Sequence, residues 1–210
     1  SFWREGAYTF TIPAVGDHRH PPARVSAAFI SAGAFELLGD RPIHGRTFRP
    51  EEDRPGGPDV VILGAEIWSS RYASDPAIIG QSITVNGVPS TVIGVMPRGF
   101  MFPANADLWR PMANFPDAVR DSRAERRQSV FARLKDGVSE AQARAEIAGI
   151  GTTWAREFSA TNRDIRLQAV PINDQLNSDW THPGWLSFIT AGTLVLMVAC
   201  ANVANLLLMR

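Results

Sequence analysis

Residues 82–97 read SITVNGVPSTVIGVMP, two runs rich in Val, Ile and Thr on either side of Asn86 and Gly87. β-branched side chains suit the pleated, half-buried surface of a strand. Asn followed by Gly tolerates the positive φ angles that a two-residue hairpin turn demands. The stretch therefore predicts a β-hairpin, and a domain whose frame is a sheet.

Working outward, DVVILGAEIWSSRY (59–72) places a buried strand over 60–63 ahead of a helix that carries Ile67, Trp68 and Tyr72. Further upstream, ARVSAAFISAGAFELLGDRPIHGRTF (23–48) predicts a short strand over 24–27. A helix follows around 30–38, with Phe29, Phe35, Leu37 and Leu38 as apolar anchors and Gly39 as its stop.

On the other side, a strand is expected through Leu134, a turn at Asp136 and Gly137, and a helix opening at Ser139. Ser139 and Gln142 have the spacing of a capping box. Ala143, Ile147, Ile150 and Trp154 recur at helical spacing as far as an end near Phe158. IRLQAVPI (165–172) alternates like a strand, and NDQLNSDWTHPG (173–184) is loop-like. Strands and helices mix without a strict βαβ repeat, so the expected class is α+β. Its expected core includes Phe35, Leu38, Val61, Ile62, Trp68, Val85, Val92, Ile93, Ile147 and Trp154.

From Trp185 onward, WLSFITAGTLVLMVACANVANLLLM (185–209) has no charged residue. At about 1.5 Å of rise per residue it exceeds the roughly 30 Å of bilayer hydrocarbon, which predicts a transmembrane helix. Trp180 and Trp185 stand where an interfacial aromatic belt belongs, and Arg210 follows as a cytoplasmic flank would. Asn202 and Asn205 share a helix face, and Cys200, Ala201 and Ala204 offer small side chains for close helix approach. That face either meets another helix or lies hydrated near the headgroups beside Arg210.

The chain has 210 residues, with 21 basic and 21 acidic side chains in balance, so no bias toward nucleic acid exists. Cys200 is its one cysteine, which leaves no internal disulfide and no thiolate metal site. His18 and His20 form a pair that two strand positions could aim at a metal, but no third ligand stands at a recognisable spacing. His44 and His182 are isolated. Glu51, Glu52 and Asp53 precede RPGGPD, a turn rather than a phosphate cradle, and no nucleotide-binding or nucleophile-elbow motif occurs. The expectation is a chain with no catalytic residue, metal or cofactor. The opening SFWREGAYTF has neither a Met start nor a basic leader and reads like the middle of a folded segment.

Several phrases, in order, resemble one family: RVSAAFISAGAFELLGDRPIHGRTFRPEEDRPGGPDVVILG (24–64), SDPAIIGQSITVNGVPSTVIGVMPRGFMFP (74–103), ADLWRPM (106–112), ARLKDGVSEAQARAEI (132–147) and ACANVANLLL (199–208). They are similar to the MacB-like periplasmic core domain joined to an FtsX-like permease domain, most of all to the duplicated orphan permeases of acidobacteria. The resemblance implies a two-lobed extracytoplasmic domain over 1–182, truncated at its N-terminal side. A transmembrane helix over 185–210 would then open the permease domain in a bacterial inner membrane. It also implies partners: the remaining permease helices, the lipid bilayer, a cytoplasmic ABC ATPase acting in trans, and a homodimer or pseudo-dimer of permease halves. ATP hydrolysis in such relatives drives movement of the periplasmic lobes, termed mechanotransmission. A membrane-anchored binding or signalling module is the alternative, and a tethered hydrolase or metalloprotein using His18 and His20 a more distant one.

Overall fold

In the computed structural model the hairpin turns where its sequence requires. Asn86 and Gly87 take φ of 51° and 82° between β5 (Ser82–Val85) and β6 (Val88–Val95), with Val85 opposite Val88. The structure describes residues 2–12, 23–100, 102–103, 105–115, 129–174 and 189–200, with side chains from Val25 onward. The chain divides into two compact units, Ser1–Lys135 and Asp136–Arg210.

The first unit is built on a mixed sheet. Its other strands are β1 (Phe2–Ile12), β2 (Ala23–Ile30), β3 (His44–Gly45), β4 (Val60–Leu63), β7 (Leu108–Pro111) and β8 (Ser129–Val130). Their order is β3-β6-β4-β7-β2-β1-β8, with β5 also paired to β6. β2 runs parallel to β7 and β4 parallel to β6, while the remaining pairs are antiparallel.

Alternation along these strands sorts the core into two layers. Val25, Ala27, Phe29, Val61, Leu63, Val92 and Leu108 pack in one cluster with Ile67. Ala28, Ile30, Val60, Ile62, Ile93 and Trp109 pack in the other with Phe35 and Phe48. Both faces of the central strands are thus covered, which is why VVIL is apolar without a break. Helix α2 (Ala65–Tyr72) lies on the first face and α1 (Ala34–Leu38) on the second. Gly39 ends α1 at φ 85°, as its sequence predicts. Opposite β4, the register slips so that Val61 faces Val92 and Ile62 faces Gly94. This bulge lets Val92 and Val95 enter the same cluster.

Three expectations change here. The helix expected around 30–38 starts only at Ala34, because β2 stays in the ladder to Ile30, between Trp3 of β1 and Pro111 of β7. The strand expected through Leu134 is only Ser129–Val130, paired to Phe2 and Trp3. Arg133 instead donates from Nη2 to the Leu37 carbonyl at 2.6 Å. Leu38 and Trp68 are partly rather than fully buried, while Phe35, Val61, Ile62, Val85, Val92 and Ile93 are core residues.

The second unit holds α3 (Glu140–Glu157) and α4 (Ser159–Asn162). The capping box is present: the Ser139 N–H donates to Gln142 Oε1 at 2.8 Å, and the Gln142 N–H to Ser139 Oγ at 3.3 Å. Gly151 is buried, and a Cβ there would meet the Leu167 side chain at 3.3 Å. Ile147 is half-buried, and Trp154 is 48 % exposed where burial was expected. Helical spacing marks an apolar face without supplying the surface that covers it. Residues 165–171 are not a strand. Residues 189–200 are helical.

Candidate functional site

One end of the sheet gathers polar side chains that its strands place by register. β2 and β7 run parallel and finish together, Ile30 beside Pro111. β4 begins at the same end, since Ile62 faces Trp109 across an antiparallel pair. The residues just beyond these ends have backbone N–H groups that no ladder continues to satisfy. Residues 46–59, which link β3 to β4, provide the acceptors.

Asp53 takes the central position. Its Oδ2 accepts from the Ala32 N–H and its Oδ1 from the Ala113 N–H, both at 2.9 Å. One carboxylate therefore joins β2 to β7 where their own hydrogen bonds stop. Beside it, Glu52 is buried and forms a two-point pair with Arg46, Nη2 to Oε1 at 2.6 Å and Nη1 to Oε2 at 2.8 Å. Glu52 Oε2 also accepts from the Arg49 N–H at 2.8 Å. Burial alone would push the Glu52 carboxyl up, but the bonds from Arg46 and Arg49 outweigh it and hold it below the ordinary glutamate value.

At the start of β4, Asp59 Oδ1 accepts from Arg110 Nη2 and Asn114 Nδ2, each at 2.5 Å. The Arg110 side chain is only 7 % exposed and lies over the Phe29 ring, 5.9 Å from its centre, while that of Asp59 is 38 % exposed. Burial pushes the Arg110 guanidinium below its ordinary value, and the charge and hydrogen bond of Asp59 oppose that shift. Arg110 Nε is buried with no hydrogen-bond partner among the described residues. Phe29, against which Arg110 stacks, meets Phe115 edge-on at 5.0 Å.

These carboxylates are engaged by backbone N–H groups, guanidinium groups and an amide, which is the chemistry of a clasp. Both oxygens of Glu52 and Asp53 are already acceptors, leaving neither as a free general base. Among the described residues no group of three His, Cys, Asp or Glu is placed to hold a metal ion. His18, His20 and His182 lie outside the described residues. His44 packs its ring on Trp68 at 5.0 Å.

Sequence reading passed over this clasp, taking Glu51, Glu52 and Asp53 for the lead-in to a turn. The one local signal was three acids amid Pro and Gly with no apolar residue from 49 to 59. Such a segment needs polar anchors to stay ordered.

Of the membrane residues singled out in the sequence, Cys200 lies in the helical 189–200 segment and is exposed. Ala201, Asn202, Ala204, Asn205, Trp180, Trp185 and Arg210 lie outside the described residues. No described helix is long and apolar enough to cross a membrane. Within 189–200, Ile189, Leu194, Val195, Leu196, Met197 and Val198 are all more than half exposed.

Comparison with known proteins places the sheet in a family. Residues 6–150 match the family model of the MacB-like periplasmic core domain. The macrolide export ATP-binding/permease protein MacB of Salmonella paratyphi A is 26 % identical over 151 residues, covering 69 % of this chain and 22 % of that protein. The MacB of Salmonella typhi matches equally. The chain thus spans about a fifth of the length of the curated relatives it matches. Two solved structures share the fold. The periplasmic region of MacB from Actinobacillus actinomycetemcomitans gives a TM-score of 0.52 at 15 % identity, over 77 % of this chain and 69 % of its own. The extracellular domain of the noncanonic ABC-type transporter YknZ from Gram-positive bacteria gives 0.52 at 14 %, over 75 % of each. On the match of residues 6–150, this chain belongs to the MacB-like periplasmic core domain family.

Proposed function

We propose that the chain is the extracytoplasmic part of a MacB/FtsX-type ABC transporter permease subunit, followed by the helix that opens its membrane domain. The family match over 6–150 carries this reading, and the uncharged run over 185–209 supports it. In it the domain is not an enzyme. It relays movement driven by ATP hydrolysis on a cytoplasmic ABC ATPase to export or other work in the envelope, by mechanotransmission. The permease halves associate as a homodimer or pseudo-dimer. Residues 1–182 lie outside the cytoplasm, 185–210 cross the inner membrane, and Trp180, Trp185 and Arg210 mark its two interfaces.

Cysteine labelling tests the topology, since Cys200 is the one cysteine within residues 1–210. In the full-length protein with Cys200 and every cysteine outside residues 1–210 replaced by Ser, a single cysteine is placed at exposed Ser74 or exposed Gly137. A maleimide that cannot cross the inner membrane should label either site in cells with a permeabilised outer membrane. Labelling only after the inner membrane is lysed would overturn the extracytoplasmic placement. Co-purification of an ABC ATPase with the full-length protein supports the permease reading. A membrane protein with no further span beyond Arg210 would favour the tethered binding or signalling module.

A further inference from the structure

The segment RPEEDRPGGP, residues 49–58, is unlike the rest of its unit. It lies between two buried apolar anchors, Phe48 and Val60, yet has no aliphatic or aromatic side chain, and its three prolines are exposed. It forms no strand or helix. The Glu52 N–H donates to the Arg49 carbonyl and the Gly57 N–H to that of Arg54, which keeps the segment compact in itself. Among the described residues, two side chains tie it to the rest of the unit. Glu52 holds Arg46, and Asp53 holds Ala32 and Ala113. At its far end Asp59 is fixed separately, by Arg110, by Asn114 and through its carbonyl to the Thr91 N–H.

Opening this segment therefore breaks a few charge-assisted hydrogen bonds and withdraws no aliphatic or aromatic side chain of its own from either apolar cluster. The cost of unfolding the sheet is set instead by two apolar layers. Regions with few buried apolar contacts open at free energies well below the global value. Exposed prolines at 50, 55 and 58 limit the conformations the freed segment gains, so it swings more readily than it melts.

We propose that residues 49–58 are a strap that opens as a unit while the sheet stays folded, with Asp53 as its catch on the ends of β2 and β7. The inference goes beyond the transporter reading and does not depend on it. When the strap is shut, Asp53 bridges two parallel strands past the end of their ladder. When it opens, the Ala32 and Ala113 N–H groups lose that acceptor together.

Native-state hydrogen exchange on the full chain tests this by comparing Ala32 and Ala113, whose N–H groups are held by Asp53, with amides inside β4 and β7. In the wild type the first set should exchange through a common opening, at least tenfold less protected than the second. Asp53→Asn keeps the shape but turns one acceptor into a donor, and should lower protection of the first set a further tenfold or more with β4 and β7 unchanged. Wild-type Ala32 and Ala113 amides as protected as those of β4 and β7 would overturn the proposal, whether or not the variant folds. So would an Asp53→Asn protein in which both sets fall by the same factor, or in which Ala32 and Ala113 do not change.

Discussion

Arg110 and Asp59 form one ion pair but stand in different surroundings, and the difference decides what each substitution does. The guanidinium is 7 % exposed and the carboxylate 38 %. Removing the acid leaves a buried cation with no counter-charge, a loss of about 3 to 5 kcal/mol for a fully buried pair and toward the lower end here, since Asp59 is partly screened. Removing the cation leaves an acid that water can still reach, and Met fills much of the apolar volume. Asp59→Ala should therefore destabilise the domain clearly more than Arg110→Met in urea unfolding, and the reverse order would show that burial does not govern this pair. Glu52 adds a pH dependence. Its folded pKa is held below the ordinary 4.5, so its contribution is present above that value and is lost as the pH falls through the folded value. Glu52→Gln should be less stable than the wild type at pH 7, with the gap closing below about pH 4.5; a gap constant from pH 7 to 3 would contradict the depressed value. The long-range partners of these acids are not legible in the sequence. Asp53 meets partners 21 and 60 residues away, and Asp59 meets partners 51 and 55 away. Spacing along a chain carries no trace of such pairs.

What the sequence does carry is local. Asn86 and Gly87 specify their turn because the positive φ values are a property of those two residues. Ser139 and Gln142 cap α3 because donor and acceptor are three positions apart. The strand expected over 165–172 fails for the complementary reason: alternation fits a strand only if a neighbouring strand accepts its hydrogen bonds, and residues 165–171 pair with no strand among the described residues. Two tryptophans make the same point quantitatively. Trp109 is fully buried in β7, packs edge-on against Phe35 and donates its indole N–H to the Phe102 carbonyl at 2.7 Å. Trp154 lies on the apolar face of α3 and is half exposed. Trp109→Ala should cost about 3 to 5 kcal/mol. Trp154→Ala should cost under about 1 kcal/mol, as a substitution on an exposed surface does. Equal losses in thermal unfolding would mean that another part of the protein covers Trp154.

At the scale of the whole molecule, the resemblance read from ordered phrases and the family match agree over the sheet and part of α3, but the match ends at residue 150. The assignment of 185–210 to the membrane therefore rests on hydropathy and on the proposed permease architecture. Asn202 and Asn205 are the residues that test it. In lipid a carboxamide without a partner is costly, whereas Leu is favourable. If both asparagines face neighbouring permease helices, Asn202→Leu and Asn205→Leu should leave insertion intact and weaken helix association by about 0.6 to 2 kcal/mol for each interhelical hydrogen bond lost. Cysteines placed across neighbouring helices of the full-length protein should then cross-link less in the double variant, with its amount in the membrane unchanged. A helix that only tethers the domain has no such partner to lose. Unchanged cross-linking would place both amides in hydrated headgroups beside Arg210, and would remove the support these residues give to a packed permease bundle.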